Sequence, residues 1–259
     1  MTTSILPRPA ARDLNQAQPT LTTWRVSSPT RKTLAIVAAT SLLVAMPARA
    51  EGPMNTDDAG TLDKGGVKIE GVLSRDDRER GTEMAIGYGP IENVEVAVTF
   101  ARAHDRSEEP STRMRGTGIG IKWVPIQSEK GWSLGASFGY GRTRVDERVT
   151  PDRFTEKEYA FTGLATYRLE NGQVLHMNLG TTRTRSQGAS DDVGNWSVGY
   201  EFPLMDRLQL TVETYGQERA RPDQAIGLRY EIVEGLKAYG AVGHGNDRSF
   251  GNLGIAWEF

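Results

Sequence analysis

The sequence contains no cysteine. That excludes a disulfide framework, a thiolate metal site, a cysteine nucleophile and a diacylglyceryl anchor. It has only three histidines, which leaves little material for imidazole chemistry. No segment after residue 50 approaches the roughly 18–20 apolar residues of a membrane helix. A large excess of positive charge is also missing: the formal net charge is −2 over 259 residues, which argues against a nucleic-acid partner. There is no phosphate loop and no nucleotide-binding glycine fingerprint, so neither a cofactor nor a metal site is expected.

Glycine is absent from residues 1–50, which hold six Lys/Arg and a single acid, Asp13. All 29 glycines lie in residues 51–259, with 25 bases and 32 acids. Two kinds of polymer are joined near residue 50. Arg31 and Lys32 precede the apolar run 34–46, and Pro47-Ala48-Arg49-Ala50 supplies small residues at the positions a signal peptidase reads. This is the pattern of a secretory signal. The expected organisation is a leader and signal over 1–50 with cleavage after Ala50, a periplasmic segment over 51–65, and a barrel over 66–259. Residues 1–25 read as an over-long leader, with the true translation start open.

Beyond residue 65 the dominant signal is period-2 alternation. Val94, Val96, Val98 and Phe100 alternate with Glu95, Ala97 and Thr99; Trp196, Val198, Tyr200 and Phe202 alternate with Ser197, Gly199 and Glu201. Alternating side chains lie on opposite faces of a strand. Twelve strands are expected near 66–74, 82–88, 94–103, 114–124, 132–142, 158–169, 173–183, 194–202, 207–216, 224–233, 236–243 and 250–259. Short connections alternate with long charged ones at 75–81, 104–113, 143–157, 184–193, 217–223 and 244–249. Proline cannot donate to a sheet ladder, and none of the seven prolines after residue 50 interrupts an expected strand.

One face of these strands is aromatic and branched; the other is mainly Gly, Ala, Ser and Thr with charges interspersed. A secreted all-β domain would also alternate. Export, an even strand count, unequal connections and a small, polar second face together point to an all-β fold. It is a transmembrane antiparallel up-and-down barrel of about 12 strands, with short periplasmic turns and longer extracellular loops. Closure pairs every strand edge, as a bilayer requires. The expected location is the outer membrane.

Ile255, Trp257 and the terminal Phe259 share one face. They resemble the terminal signal of bacterial outer-membrane barrels, and the resemblance implies recognition by the barrel-assembly machinery. A second resemblance covers about twenty residues: Pro53-Met54-Asn55-Thr56-Asp57-Asp58-Ala59-Gly60-Thr61-Leu62, then Lys64-Gly65 and Val67-Lys68-Ile69-Glu70. This opening is similar to that of barrels assigned to the MetA pathway of phenol degradation, often labelled transporters. The likeness implies passage of small, aromatic compounds through the outer membrane. From the residues alone, Thr56–Gly60 reads as an Asx-type turn into the first strand, with a calcium site at the two aspartates as the alternative.

The inward parity places Lys68, Glu70, Glu83, Glu95, Lys122, Arg168, Glu201, Glu213, Arg229, Glu231, Lys237 and Glu258 in the lumen. All except Glu83 and Glu213 sit in the half nearer the short turns, where His176 joins them. Candidate lumen and gate residues are therefore Lys68, Glu70, Glu95, Lys122, Arg168, His176, Glu201, Arg229, Glu231, Lys237 and Glu258. Two readings stay open: pairs that fill the lumen and offset each other's desolvation, or a charged ring that filters small-molecule solutes. Twelve strands lie between a filled and an open barrel. A plugged structural or surface-interaction barrel is thus an alternative to a channel. A barrel-embedded lipid hydrolase needs a serine beside an oriented histidine. His176-Met177-Asn178 has no such serine and turns inward, so no enzyme is expected. Arginine-rich loops such as Arg75–Arg80 suit the phosphates of lipopolysaccharide, a partner expected alongside the outer-membrane lipids.

Overall fold

The computed structural model describes residues 52–107, 111–147 and 153–259. The expected signal and its processing site at Ala50 lie outside the described residues. Twelve antiparallel strands close on themselves: β1 (Val67–Asp76), β2 (Glu79–Ile91), β3 (Val94–Asp105), β4 (Thr112–Ile126), β5 (Gly131–Asp146) and β6 (Arg153–Arg168). The second half is β7 (Val174–Ser186), β8 (Ala189–Met205), β9 (Leu208–Gln217), β10 (Asp223–Val233), β11 (Leu236–Gly245) and β12 (Arg248–Glu258). Each strand pairs with its sequence neighbours. β12 returns to β1, with Val67 N–H donating to Phe259 O at 2.8 Å and Phe259 N–H to Val67 O at 2.9 Å. No edge is left unpaired, so the backbone is satisfied at membrane depth.

The alternation read from the sequence is the alternation of the wall. Large apolar side chains such as Leu73, Phe100, Ile119, Phe161, Leu179 and Leu253 point outward and are exposed in the bare protein, while Thr99, Ser133, Thr166 and Thr211 point inward and are buried. A soluble protein rarely exposes so large a contiguous apolar surface. On a closed barrel it is the surface that lipid covers, and this is an outer-membrane barrel. Near the short turns the outward aromatics stack in pairs: Trp132–Tyr167 at 4.9 Å, Tyr200–Phe202 at 4.6 Å and Trp257–Phe259 at 4.7 Å between centroids. Amphipathic rings at this level form an interfacial girdle.

The strands run further than periodicity alone suggested. Three of the connections expected to be long are two-residue turns, at Asp77-Arg78, Gln187-Gly188 and Asn246-Asp247. Asn246 and Asp247 have φ of 50° and 58°, the left-handed pair of a hairpin turn whose twist matches the strands. Charged stretches that resemble solvated loops are therefore partly wall. Asp76, Asp223 and Arg248 lie on its inner face: Arg248 bridges Asp76 across the β12–β1 seam at 2.8 Å and Asp223 on β10 at 3.0 Å. At the same end, on β3 to β5, Ala101, Ala103, Met114 and Val145 form an apolar cluster against Phe154 of β6.

The segment before β1 departs most from expectation. It was expected outside the barrel, in the periplasm, with Thr56–Gly60 as an Asx turn. Instead Met54, Thr56, Ala59 and Leu62 are almost fully buried, and the segment runs through the short-turn half of the lumen. The Asp57 side chain is taken by the wall residue Lys122, so it does not close a turn on its own backbone.

Candidate functional site

The site is a strap, residues 52–62, and the inner wall that holds it. Ten backbone polar groups of the strap find partners on side chains of the wall and its turns, as buried amides and carbonyls must. Glu213 on β9 is the densest anchor. Its carboxylate accepts from Asn55 N–H at 2.8 Å and from Thr56 N–H and Oγ1–H at 2.9 Å each. Asn178 on β7 pairs both ways with Asp57, accepting from its N–H at 2.7 Å and donating to its carbonyl at 2.8 Å. Ala59 N–H donates to Thr166 Oγ1 at 2.8 Å, and Leu62 N–H to Glu95 at 3.2 Å. At the other end, Gly52 O accepts from Arg229 at 3.3 Å and Pro53 O from Asn252 at 3.4 Å.

Lys122 is the electrostatic centre. It is 1% exposed, and its Nζ lies 2.7 Å from Asp57 Oδ1 and 3.2 Å from Asp58 Oδ1. The ammonium sits where a cation binding the two aspartates would sit, so the calcium reading of this pair gives way to an internal ion pair. Arg168 stands 3.8 Å from the other oxygen of Asp58, and Lys68 lies 3.9 Å from Glu95. Charge-assisted bonds of this kind are stronger than neutral ones and, when buried, costly to break one-sidedly.

A relay of side chains connects the strap's two ends. Thr166 Oγ1, which receives Ala59 N–H, is 3.0 Å from His176 Nδ1. His176 Nε2 is 3.3 Å from Glu201 Oε1, and Glu201 Oε2 accepts from Arg229 at 2.6 Å. Arg229 returns to the strap at Gly52. His176 is thus a lumen histidine beside a glutamate, and Asn178 on the same face holds the strap.

Two glycines make the passage wide enough. A Cβ on Gly199 would meet Thr56 Cβ and Met54 Sδ at 3.0 Å, and one on Gly227 would meet Pro53 Cγ at 2.5 Å. Ala59 packs on Val124 and Leu164, an apolar patch under the strap. Part of the small-residue inner face is therefore occupied by the strap.

Of the residues singled out from sequence, Lys68, Glu95, Lys122, Arg168, His176, Glu201 and Arg229 converge on the strap or on its supports. Glu70 accepts instead from the hydroxyl of Tyr239. Glu231 accepts from Gly235 N–H at 3.1 Å and stands opposite Lys237 across β10–β11. Glu258 lies at the mouth opposite Lys68. Beside the strap a cavity of about 340 Å³ opens at the short-turn end, lined by Asp58, Arg168, His176, Glu201, Arg229, Glu231 and Lys237 among others. Sequence reasoning missed Thr166, Asn178 and Asn252, because an uncharged polar residue on an inward parity gives no signal of a specific partner. It placed Glu213 in the lumen without a role. Ile255, Trp257 and Phe259 lie on the outward face of β12 and just beyond its end, and all three are exposed.

Solved structures with this architecture include the KdgM porin in complex with disordered oligogalacturonate, at TM-score 0.59 and 10% identity, covering 74% of this chain and 99% of that one. The NanC porin matches at TM-score 0.50 and 8% identity, covering 74% and 98%. The translocator domain of autotransporter NalP from Neisseria meningitidis matches at TM-score 0.50 and 16% identity, covering 76% and 90%. At these identities the likeness is one of fold. No curated protein matches the sequence. These comparisons support the outer-membrane barrel in the resemblance drawn above, not its phenol-degradation family. The chain belongs to the family described as uncharacterised conserved protein UCP029691, whose model matches residues 38–250.

Proposed function

We propose that the protein is an outer-membrane channel for small polar or ionisable solutes, with the strap 52–62 as its constriction. The observation that carries this reading is the nature of the strap's contacts. It is held to the wall mainly by hydrogen bonds and ion pairs, which water can replace as it leaves. A barrel closed for structural reasons alone would be filled by wall side chains packed on one another. The cavity beside the strap brings Arg168, Arg207, Arg229 and Lys237 together with Asp58, Glu201, Asp206 and Glu231. Cations and anions in balance suit a small solute with an acidic group and a neutral or basic remainder. Small aromatic acids, which the resemblance to phenol-degradation barrels would add, fall in that class. The KdgM porin was solved with oligogalacturonate, and a shared fold makes a solute path through this lumen reasonable.

A closed barrel is the second reading, favoured by the depth at which the strap is bonded and by the apolar cluster at the far end. Planar-bilayer recording separates the two. Current steps that grow when residues 53–62 are removed support the channel. Ion selectivity should also shift on charge reversal at Glu201 and Glu231. Absence of steps in both the native and the strap-deleted protein, each folded by gel mobility before and after heating, leaves the closed barrel.

A further inference from the structure

Basic charge on the outward face of the strands lies on β1 to β7 and not on β8 to β12, and it begins with Arg75 and Arg80, exposed and directly opposed on β1 and β2. On β3 to β7, the outward positions just beyond the apolar belt are basic: Phe100 is followed by Arg102, Tyr140 by Arg142, and Tyr159 is preceded by Lys157. Arg115, Arg144 and Arg185 complete the patch, and all six side chains are exposed. β8 to β12 carry no lysine or arginine on the outward face; Arg229, Lys237 and Arg248 of those strands point into the lumen.

The six are neighbours. Arg102 stands directly opposite Arg115, Arg115 opposite Arg144, Arg142 opposite Lys157 and Lys157 opposite Arg185. Directly opposed Cβ atoms are about 4.5–5.5 Å apart, and like charges placed so repel. None of the six forms a salt bridge among the described residues, and Asp192, which Arg185 also influences, is held by Arg183. By contrast the nearby Arg183 and Arg153 are each paired, with Asp192 and Asp146 at 2.7 Å. Arg185 adds a contact over the ring of Tyr159 at 5.7 Å.

We infer that this face binds the phosphates of lipopolysaccharide in the outer leaflet. The patch faces lipid, beyond the apolar belt, at the end of the barrel away from both chain termini. That is the depth at which a phosphorylated headgroup begins. Guanidinium forks bind phosphate oxygens two at a time. A headgroup with more than one phosphate spans adjacent strands and offsets the repulsion between opposed cations. The strands without outward cations leave the opposite wall without such a site.

Binding of purified lipopolysaccharide to the detergent-solubilised protein tests this. The native lipid is compared with the same lipid stripped of its phosphates, and with inorganic pyrophosphate as competitor. The quadruple variant Arg102→Gln, Arg115→Gln, Arg142→Gln, Arg144→Gln should bind roughly a thousandfold more weakly, as expected for four cations removed from an anionic lipid surface. Arg219→Gln with Arg221→Gln, at the same end of the opposite wall, should bind as the native protein does. Equal affinity of the quadruple variant overturns the inference. So does equal affinity for the stripped lipid, or displacement of the lipid by pyrophosphate at matched phosphate concentration. If the quadruple variant does not fold, the comparison of the two lipids on the native protein decides alone.

Discussion

The two ends of this barrel use the same strand alternation in opposite ways. Near the short turns, charge is inside: Glu95, Lys122, Glu201 and Arg229 are almost fully buried and hold the strap, Glu201 through Arg229, while the outer face carries aromatic pairs. Near the other end the inner face sets an apolar cluster around Met114 and Val145 beside buried Glu79, Glu156 and Glu158 and the Arg248 bridges, and a row of exposed cations stands outside on β3 to β7. A two-residue repeat fixes only which residues share a face. What each face meets is decided by depth: lumen water and strap at one end, lipid headgroups at the other. Position along the strand therefore carries as much functional information as parity does.

The difference between the ends can be pressed by mutation. The largest effect is expected from Lys122→Met, which leaves Asp57 and Asp58 without their shared cation. Removing one partner of a buried ion pair should weaken strap docking by about 3 kcal/mol. Hydrogen exchange at Asn55–Leu62 should quicken while the strands stay protected. Arg248→Met breaks a comparable but more exposed junction at the other end and should cost about 2 kcal/mol. It should lower the unfolding temperature in detergent and leave both strap protection and conductance unchanged. An effect of Arg248→Met on the strap would mean that the two ends are coupled. Glu213→Gln keeps an acceptor oxygen but loses the charge, and about 1 kcal/mol of docking is expected to go with it. That appears as a smaller gain in exchange at Asn55 and Thr56 alone.

Much of the wall was legible because the bilayer demands alternation everywhere, and Val94–Phe100 or Trp196–Phe202 show it without interruption. The strand ends were less legible. Arg75–Arg80 and His244–Ser249 look like solvated loops by composition, yet paired backbone and left-handed Asn246 and Asp247 make them tight hairpins. The inward charges were read correctly as a cluster, since each follows from parity and chain direction. Their partner was not. Nothing in Met54–Leu62 has strand periodicity, and a polar segment next to a barrel is equally compatible with lying outside it. Only the closed wall reveals that Lys122, Asn178 and Glu213 face a space in which the strap supplies partners for them. The clue in the sequence was the adjacent pair Asp57-Asp58 beside inward cations such as Lys122 and Arg168, and it was read as a local turn.

The central claim is that the strap lies in the lumen and controls passage. The chain has no cysteine, so Thr56→Cys with Gly199→Cys introduces a single possible disulfide. Thr56 Cβ lies 3.0 Å from the Cβ position of residue 199, within a small adjustment of the roughly 3.5–4.5 Å that a disulfide needs. Single-channel recording of this variant, oxidised and then reduced in the same membrane, is the most direct measurement. A cross-link that forms in the folded barrel, small or absent steps while it is closed, and larger steps on reduction are the predicted result. Failure of the two cysteines to join, or identical conductance in both states, would contradict the account.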